Sequence, residues 1–411
     1  MNFASLSSLS SGSTGDAFSL RARWVFPVCS PPLENGIIEV ADGRISAIHD
    51  SAVANAVDLG NVAIIPGLVN AHTHLELSDI ATPLQPADPF TAWLKAVIAH
   101  RLSRPKAESV AHGRKESAHR GTTAIGDIAG ADWRPEEAGS AGPRVVAFLE
   151  VLGLAPERAA GQLDRARAHL AGRAAPLRGL SPHAPYSVHP DLFRGLVDLA
   201  AEARVPVAMH LAETRAELEL LAGGTGPFRP FLEELGVWRP DAIPRGTRPL
   251  DSLRELARLD RALAIHGNYL DGAEIDFLAA HANISVVYCP RTHAFFGHEP
   301  HPWRTLLDRN VNVALGTDSR ASNPDLGLWN ELLFLRKLAP DFDPARLLRL
   351  GTWNGAFALG LESEIGSLAA GKAADLAVID LAAGDATAPY ALLFRPENRV
   401  ESVFCSGRLY C

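Results

Sequence analysis

Apolar, β-branched runs recur through the middle of the chain, each followed by a stretch with helical spacing. Eight such runs stand at residues 64–70, 122–128, 144–151, 179–183, 205–210, 262–267, 284–289 and 311–317, the fourth being the shortest and least apolar. Their hydrophobicity is continuous rather than alternating, as in strands covered on both faces. Between them the spacing predicts helices, among them 190–203, 251–259 and 273–282. Strand–helix alternation repeated eight times predicts an α/β protein whose body, residues 63–365, is a (β/α)8 TIM barrel. The alternative, an open doubly wound sheet, would carry a glycine-rich phosphate loop after its first strand. No GxGxxG or GxxxxGK[ST] occurs there.

The flanks have a different period. Residues 36–40 and 44–48 are short alternating runs joined by Asp42-Gly43, a good hairpin turn. Residues 374–379 and 400–404 are further strand-like runs near the other end. Neither flank holds enough apolar residues for a core of its own. Residues 17–62 and 366–411 are therefore expected to form one small β-sandwich domain built from both termini. Residues 1–16, rich in Ser and Gly, are expected to be a disordered tail. They carry no basic n-region and no apolar h-region, so they do not read as a secretory signal. Residues 223–249 are rich in Gly, Pro and Arg and too long for an ordinary connection, which makes them a candidate lid.

Composition narrows the function classes. With 39 basic and 47 acidic residues the net charge is −8, against a general nucleic-acid binder. No run of 18 apolar residues predicts a membrane span. The four cysteines (Cys29, Cys289, Cys405, Cys411) form no CxxC pair, which fits a reducing, cytoplasmic setting. A small-molecule substrate is the expected partner, and a homo-oligomer is left open.

The candidate chemistry gathers at the strand ends. His72-Thr73-His74 follows the first apolar run. Residues i and i+2 of a strand share a face, so both imidazoles can converge on one cation. The fourth, fifth, sixth and eighth runs end at His183, His210, His266 and Asp318. Active sites of such barrels lie at these C-terminal ends. His72, His74, His210 and Asp318 offer three nitrogens and one oxygen, a shell that suits one divalent ion, Zn2+ first and Fe2+ as the alternative. Glu213, three residues after His210, is the candidate proton donor to a substrate nitrogen. His266 is placed to orient the attacking water and stabilise developing charge, and Asp318 to accept the water's proton.

The motifs Pro66-Gly-Leu-Val-Asn-Ala-His-Thr-His74, His210-Leu-Ala-Glu213, Ile265-His266-Gly and Gly316-Thr-Asp318-Ser resemble the amidohydrolase superfamily. They are most similar to its metal-dependent aminohydrolases, the adenosine-type, guanine and cytosine deaminases and the triazine hydrolases. The resemblance spans roughly residues 30–410 and includes the closing run 352–360 and the segment 366–376. It implies hydrolytic deamination with release of ammonia. Two-metal members of the superfamily bridge their ions with a carboxylated lysine on strand four. The lysines between His74 and His210 are Lys95, Lys106 and Lys115, all before the second strand, so the resemblance implies one metal ion. Glu150, at the end of the third run, is the alternative bridging group.

Glu76, Trp93, His183, Arg291 and His293 are the residues expected to shape the substrate pocket. By resemblance to nucleoside deaminases, His183 would approach a ribose hydroxyl. Thr292-His293 departs from the Ser-Asn pair many relatives carry near this point. His-Thr-His-Leu-Glu-Leu-Ser, Phe-Thr-Ala-Trp-Leu, Ser-Pro-His-Ala-Pro-Tyr-Ser and Cys-Pro-Arg-Thr-His are most similar to the aminodeoxyfutalosine deaminase branch, which converts an adenine-bearing nucleoside to its hypoxanthine form. The alternatives are a chlorohydrolase, a cyclic amide or imidazolone hydrolase, and a metal-binding scaffold without catalysis. The other deaminase architecture needs PCxxC, and the chain has none.

Overall fold

The computed structural model describes residues 17–51, 53, 55–103, 107–130, 141–172, 177–384 and 388–411. The tail expected over 1–16, and Lys106, lie outside the described residues. The N-terminal flank contributes β1 (Phe18–Arg21), β2 (Trp24–Val25), β3 (Leu33–Glu34), β4 (Ile37–Ala41), β5 (Arg44–His49), β6 (Val57–Asp58) and β7 (Val62–Pro66). Eight parallel strands follow: β8 (Leu68–Thr73), β9 (Thr122–Ala129), β10 (Arg144–Val151), β11 (Leu177–Pro182), β12 (Val207–Leu211), β13 (Ala262–His266), β14 (Ile284–Tyr288) and β15 (Asn312–Leu315). They neighbour one another in chain order, and a Thr73–Asp318 bridge closes the ring between the first and last. The result is a (β/α)8 barrel. Val69, Phe148, Leu263 and Val287 fill its interior, and Ala356 and Leu359 of the helix Trp353–Leu359 pack against the same cluster. Truncating Phe148 to alanine is expected to lower stability by about 3–5 kcal/mol, because a fully buried ring leaves a cavity. A thermal midpoint lowered by only a degree would contradict that.

β16 (Leu376–Asp380), β17 (Arg399–Cys405) and β18 (Arg408–Leu409) return to the N-terminal flank. One sheet runs β18-β17-β16-β7-β2-β3 and the other β5-β4-β1-β6. Leu20, Ile38 and Val40 from one sheet meet Ile64, Leu376 and Phe404 from the other in a shared core, which makes a small β-sandwich of both chain ends. The Asp42-Gly43 hairpin has positive φ at both residues (52° and 73°), as its turn type demands.

The first apolar run, expected as one strand, is two. Val62–Pro66 pairs with β16 in the sandwich, and Leu68–Thr73 with β9 in the barrel. The break falls at Gly67, where an added Cβ would sit 2.1 Å from the Thr123 side chain. A continuous apolar run does not reveal this change of partner, since both halves are buried. The helix expected at 190–203 is Pro190–Ala203, its N-terminus marked by Pro190. Residues 223–249 are not one excursion. They include the helix Phe228–Glu234, whose Phe228, Phe231 and Leu232 pack with Tyr186 and Leu220. No helix among the described residues is long and apolar enough to cross a membrane.

Candidate metal and catalytic site

The ligating atoms of His72, His74 and His210 all lie within 4.8 Å of one another, at the C-terminal end of the barrel. Asp318 Oδ1 stands 3.4 Å from His72 Nε2 and 3.6 Å from His74 Nε2. The closing bridge explains that proximity, because the His72 carbonyl accepts the N–H groups of Thr317 and Asp318. Asn70 reinforces it, accepting from the Thr317 N–H and donating to Thr317 Oγ1. His210 Nδ1 pairs with the His183 carbonyl at 2.9 Å, which keeps the proton on Nδ1 and the lone pair on Nε2. Among the described residues the buried His72 ring has no partner at Nδ1, and only Asp318 Oδ1, at 3.4 Å, beside Nε2. Such atoms are costly unless something occupies the centre of the cluster. The donor set therefore fits a divalent cation.

Glu213 Oε1 lies 3.4 Å from His266 Nε2 beside this cluster. Burial, then the charges of Asp318 and Glu217, push the Glu213 carboxyl well above the usual carboxylate range. Burial would also raise Asp318, but interactions with His72, His74 and His266 hold it well below its ordinary value. Burial keeps His266 neutral, its pKa well below the usual imidazole range. Two carboxyl groups with pKa values pushed apart make one a proton donor and the other an acceptor.

The backbone here is unusual. Ala212, His266 and Asp318 have φ of 52°, 67° and 54°, in the left-handed region. Each costs about 1–3 kcal/mol for a residue other than glycine. Bonds to the carbonyls hold all three: Thr73 Oγ1 donates to Asp318 at 2.6 Å, His301 Nε2 reaches His266 at 2.7 Å, and the Tyr269 N–H donates to Ala212 at 3.0 Å.

His74, His183, His210, Glu213, His266 and Asp318 line one cleft, with Trp93 and Arg101 in its wall. Trp93 is fixed by its indole N–H to the Ala321 carbonyl. Burial lowers the His183 pKa to about 3, so its ring is neutral, and Nδ1 pairs with Ser187 Oγ at 2.7 Å. Three expected pocket residues sit differently. Glu76 is set behind the wall, its Oε1 2.7 Å from Arg101 Nε. Arg291 is bound to Asp325 and Glu331, and His293 Nε2 to the Glu299 carbonyl; neither lines the cleft. Their proximity in sequence to β14 points to the mouth, but the helix Pro290–Phe296 carries Arg291 to Asp325 and to Glu331 of the helix Leu328–Leu338, and His293 to the Glu299 carbonyl.

Arg101 was not legible in the sequence. It lies on the helix Phe90–Ser103 and reaches Glu76, Glu150 at 3.2 Å, and His74 Nδ1 at 3.4 Å. The one available signal was Glu150, a carboxylate at a barrel strand end, where burial demands a countercharge. Replacing Arg101 with leucine removes the cation that faces the buried Glu150 and Glu76 carboxylates and is expected to cost on the order of 3 kcal/mol. Adding Glu150→Gln should recover part of that in the thermal midpoint; no recovery would argue against the pairing.

A family model described as the amidohydrolase family matches residues 63–410. The chain belongs to the amidohydrolase family. It is 30% identical over 385 residues to a 5-methylthioadenosine/S-adenosylhomocysteine deaminase of Moorella thermoacetica, covering 87% of this chain and 84% of that protein. It is 31% identical over 350 residues to the aminodeoxyfutalosine deaminase of Deinococcus radiodurans, covering 79% and 81%. Among solved structures, an adenosine deaminase from Xanthomonas campestris with bound zinc superposes with a TM-score of 0.76 at 27% identity, covering 95% of this chain and 92% of that one. Family membership and the histidine cluster together make this a divalent-metal site.

Proposed function

We propose that this amidohydrolase is a one-metal deaminase of a 5′-modified adenine nucleoside, aminodeoxyfutalosine-like, releasing ammonia and the hypoxanthine product. The observation that carries the reading is the placement of Glu213 3.4 Å from His266 in the same cleft as Asp318 and the histidine cluster, where burial raises the Glu213 carboxyl and the neighbouring histidines hold Asp318 low. The relatives named for adenine-nucleoside deamination support it. His72, His74, His210 and Asp318 would hold the ion, with zinc favoured by the three-nitrogen, one-oxygen set. When bound, the ion lowers the pKa of a water toward about 7. Asp318 would accept a proton from the attacking water as its oxygen adds to the amino-bearing ring carbon. Glu213 protonates the adjacent ring nitrogen, and His266 hydrogen-bonds the incoming oxygen. Asp318 then gives that proton to the amino group, which leaves as ammonia, while the added hydroxyl returns its proton to Glu213 and becomes the ring carbonyl. His183 and Trp93 hold the sugar side of the cleft, beside Phe90 and Tyr186, on which Phe228 of the segment 223–249 packs.

An ammonia-release screen tests this. Aminodeoxyfutalosine, methylthioadenosine, S-adenosylhomocysteine and adenosine are compared with a chlorotriazine and a cyclic amide. Ammonia from the nucleosides is the expected result. Chloride release or ring opening without nucleoside turnover would assign the site to the other chemistry.

A further inference from the structure

Glu217 is fully buried on the first turn of the helix Arg215–Gly223 and takes no part in the reaction above. A glutamate at this place ordinarily reaches back to the N–H of the cap residue. The cap is Thr214, whose Oγ1 accepts the Glu217 N–H at 3.0 Å. The Glu217 carboxylate also reaches beyond the cap. Oε1 accepts the Ala212 N–H at 2.9 Å and Oε2 the Glu213 N–H at 2.8 Å. On the other side, Asn268 Nδ2 donates to the Glu213 carbonyl at 2.9 Å, and the Tyr269 N–H to the Ala212 carbonyl at 3.0 Å. Every backbone polar group of Ala212 and Glu213 is thus accounted for outside any helix or strand ladder. The left-handed Ala212 is the kink that lets His210 and Glu213 face one cleft. A cap alone needs neither the two extra bonds nor a buried carboxylate.

We infer that Glu217 is a positioning residue that fixes the Glu213 carboxyl against His266. Asn268, two residues past His266, completes the clamp and ties it to the His266 loop. This rests on the reading of Glu213 as proton donor.

Glu217→Gln keeps one acceptor oxygen and turns an amide N–H2 against the other backbone N–H. A displacement of about 1 Å at the reacting group lowers rate roughly 10²-fold. That loss is expected in kcat, with KM and metal content unchanged. In a Glu213→Gln background the same change should cost nothing further, since it acts only through Glu213. Multiplying losses would mean Glu217 merely supports the fold, and would overturn the inference. If Glu217→Gln fails to fold, Asn268→Ala removes the carbonyl side of the clamp and is read by the same cycle. A crystal structure of either variant decides independently of turnover: Glu213 unmoved against His266 overturns the clamp. Absence of ammonia release from the unaltered enzyme would instead sink the deaminase reading, with the crystallographic outcome still deciding the clamp.

Discussion

Replacing Glu213 with glutamine is expected to lower kcat by about 10²–10⁴-fold, the usual contribution of a positioned proton donor, while the divalent ion stays bound. The amide fills the same volume and can hydrogen-bond His266, but it has no proton to give the ring nitrogen. Metal analysis separates this from collapse of the site, because Glu213 is outside the histidine cluster. The pH profile gives a second reading. Burial raises the Glu213 pKa, so the donor form persists to higher pH than in an exposed carboxyl. Activity should therefore fall as pH rises through that raised pKa, and the fall should disappear in the glutamine variant. A glutamine variant with near-normal kcat would assign the proton to another group.

Much of this site could be read from sequence because a barrel places its chemistry at predictable positions. His72, His74, His210, His266 and Asp318 each stand at or just past a strand end, and strand ends follow from apolar runs. Glu213 was legible for a related reason, lying three residues beyond His210. Arg101 was not, because its place in the cleft wall depends on how a crossover helix docks, and helical spacing does not encode that. Arg291 and His293 failed in the opposite way. Their sequence position beside β14 was right, but Asp325, Glu331 and Glu299 bind them elsewhere. The division between sandwich and barrel was blurred for a physical reason too. Pro66-Gly67 is a crossing between two sheets buried on both sides, so hydrophobicity does not fall there.

Stripping the divalent ion with a chelator is expected to abolish turnover and to destabilise the fold. Without it, the buried His72 Nε2 has only Asp318 Oδ1, at 3.4 Å, beside it among the described residues. A ligand at about 1,000 times its dissociation constant contributes about 4 kcal/mol. For a chain of 411 residues that is a fall in thermal midpoint of about 5 °C. The midpoint should rise with free metal concentration, and His72→Ala should remove that dependence. Asp318→Asn should behave differently. It keeps an oxygen ligand but loses the proton acceptor, so turnover should fall steeply while part of the metal-dependent stabilisation remains. Readdition of Zn2+, compared with anaerobic Fe2+, then identifies the working ion by which restores kcat at one equivalent. Turnover that survives complete chelation would overturn both the ligand assignment and the reaction built around it.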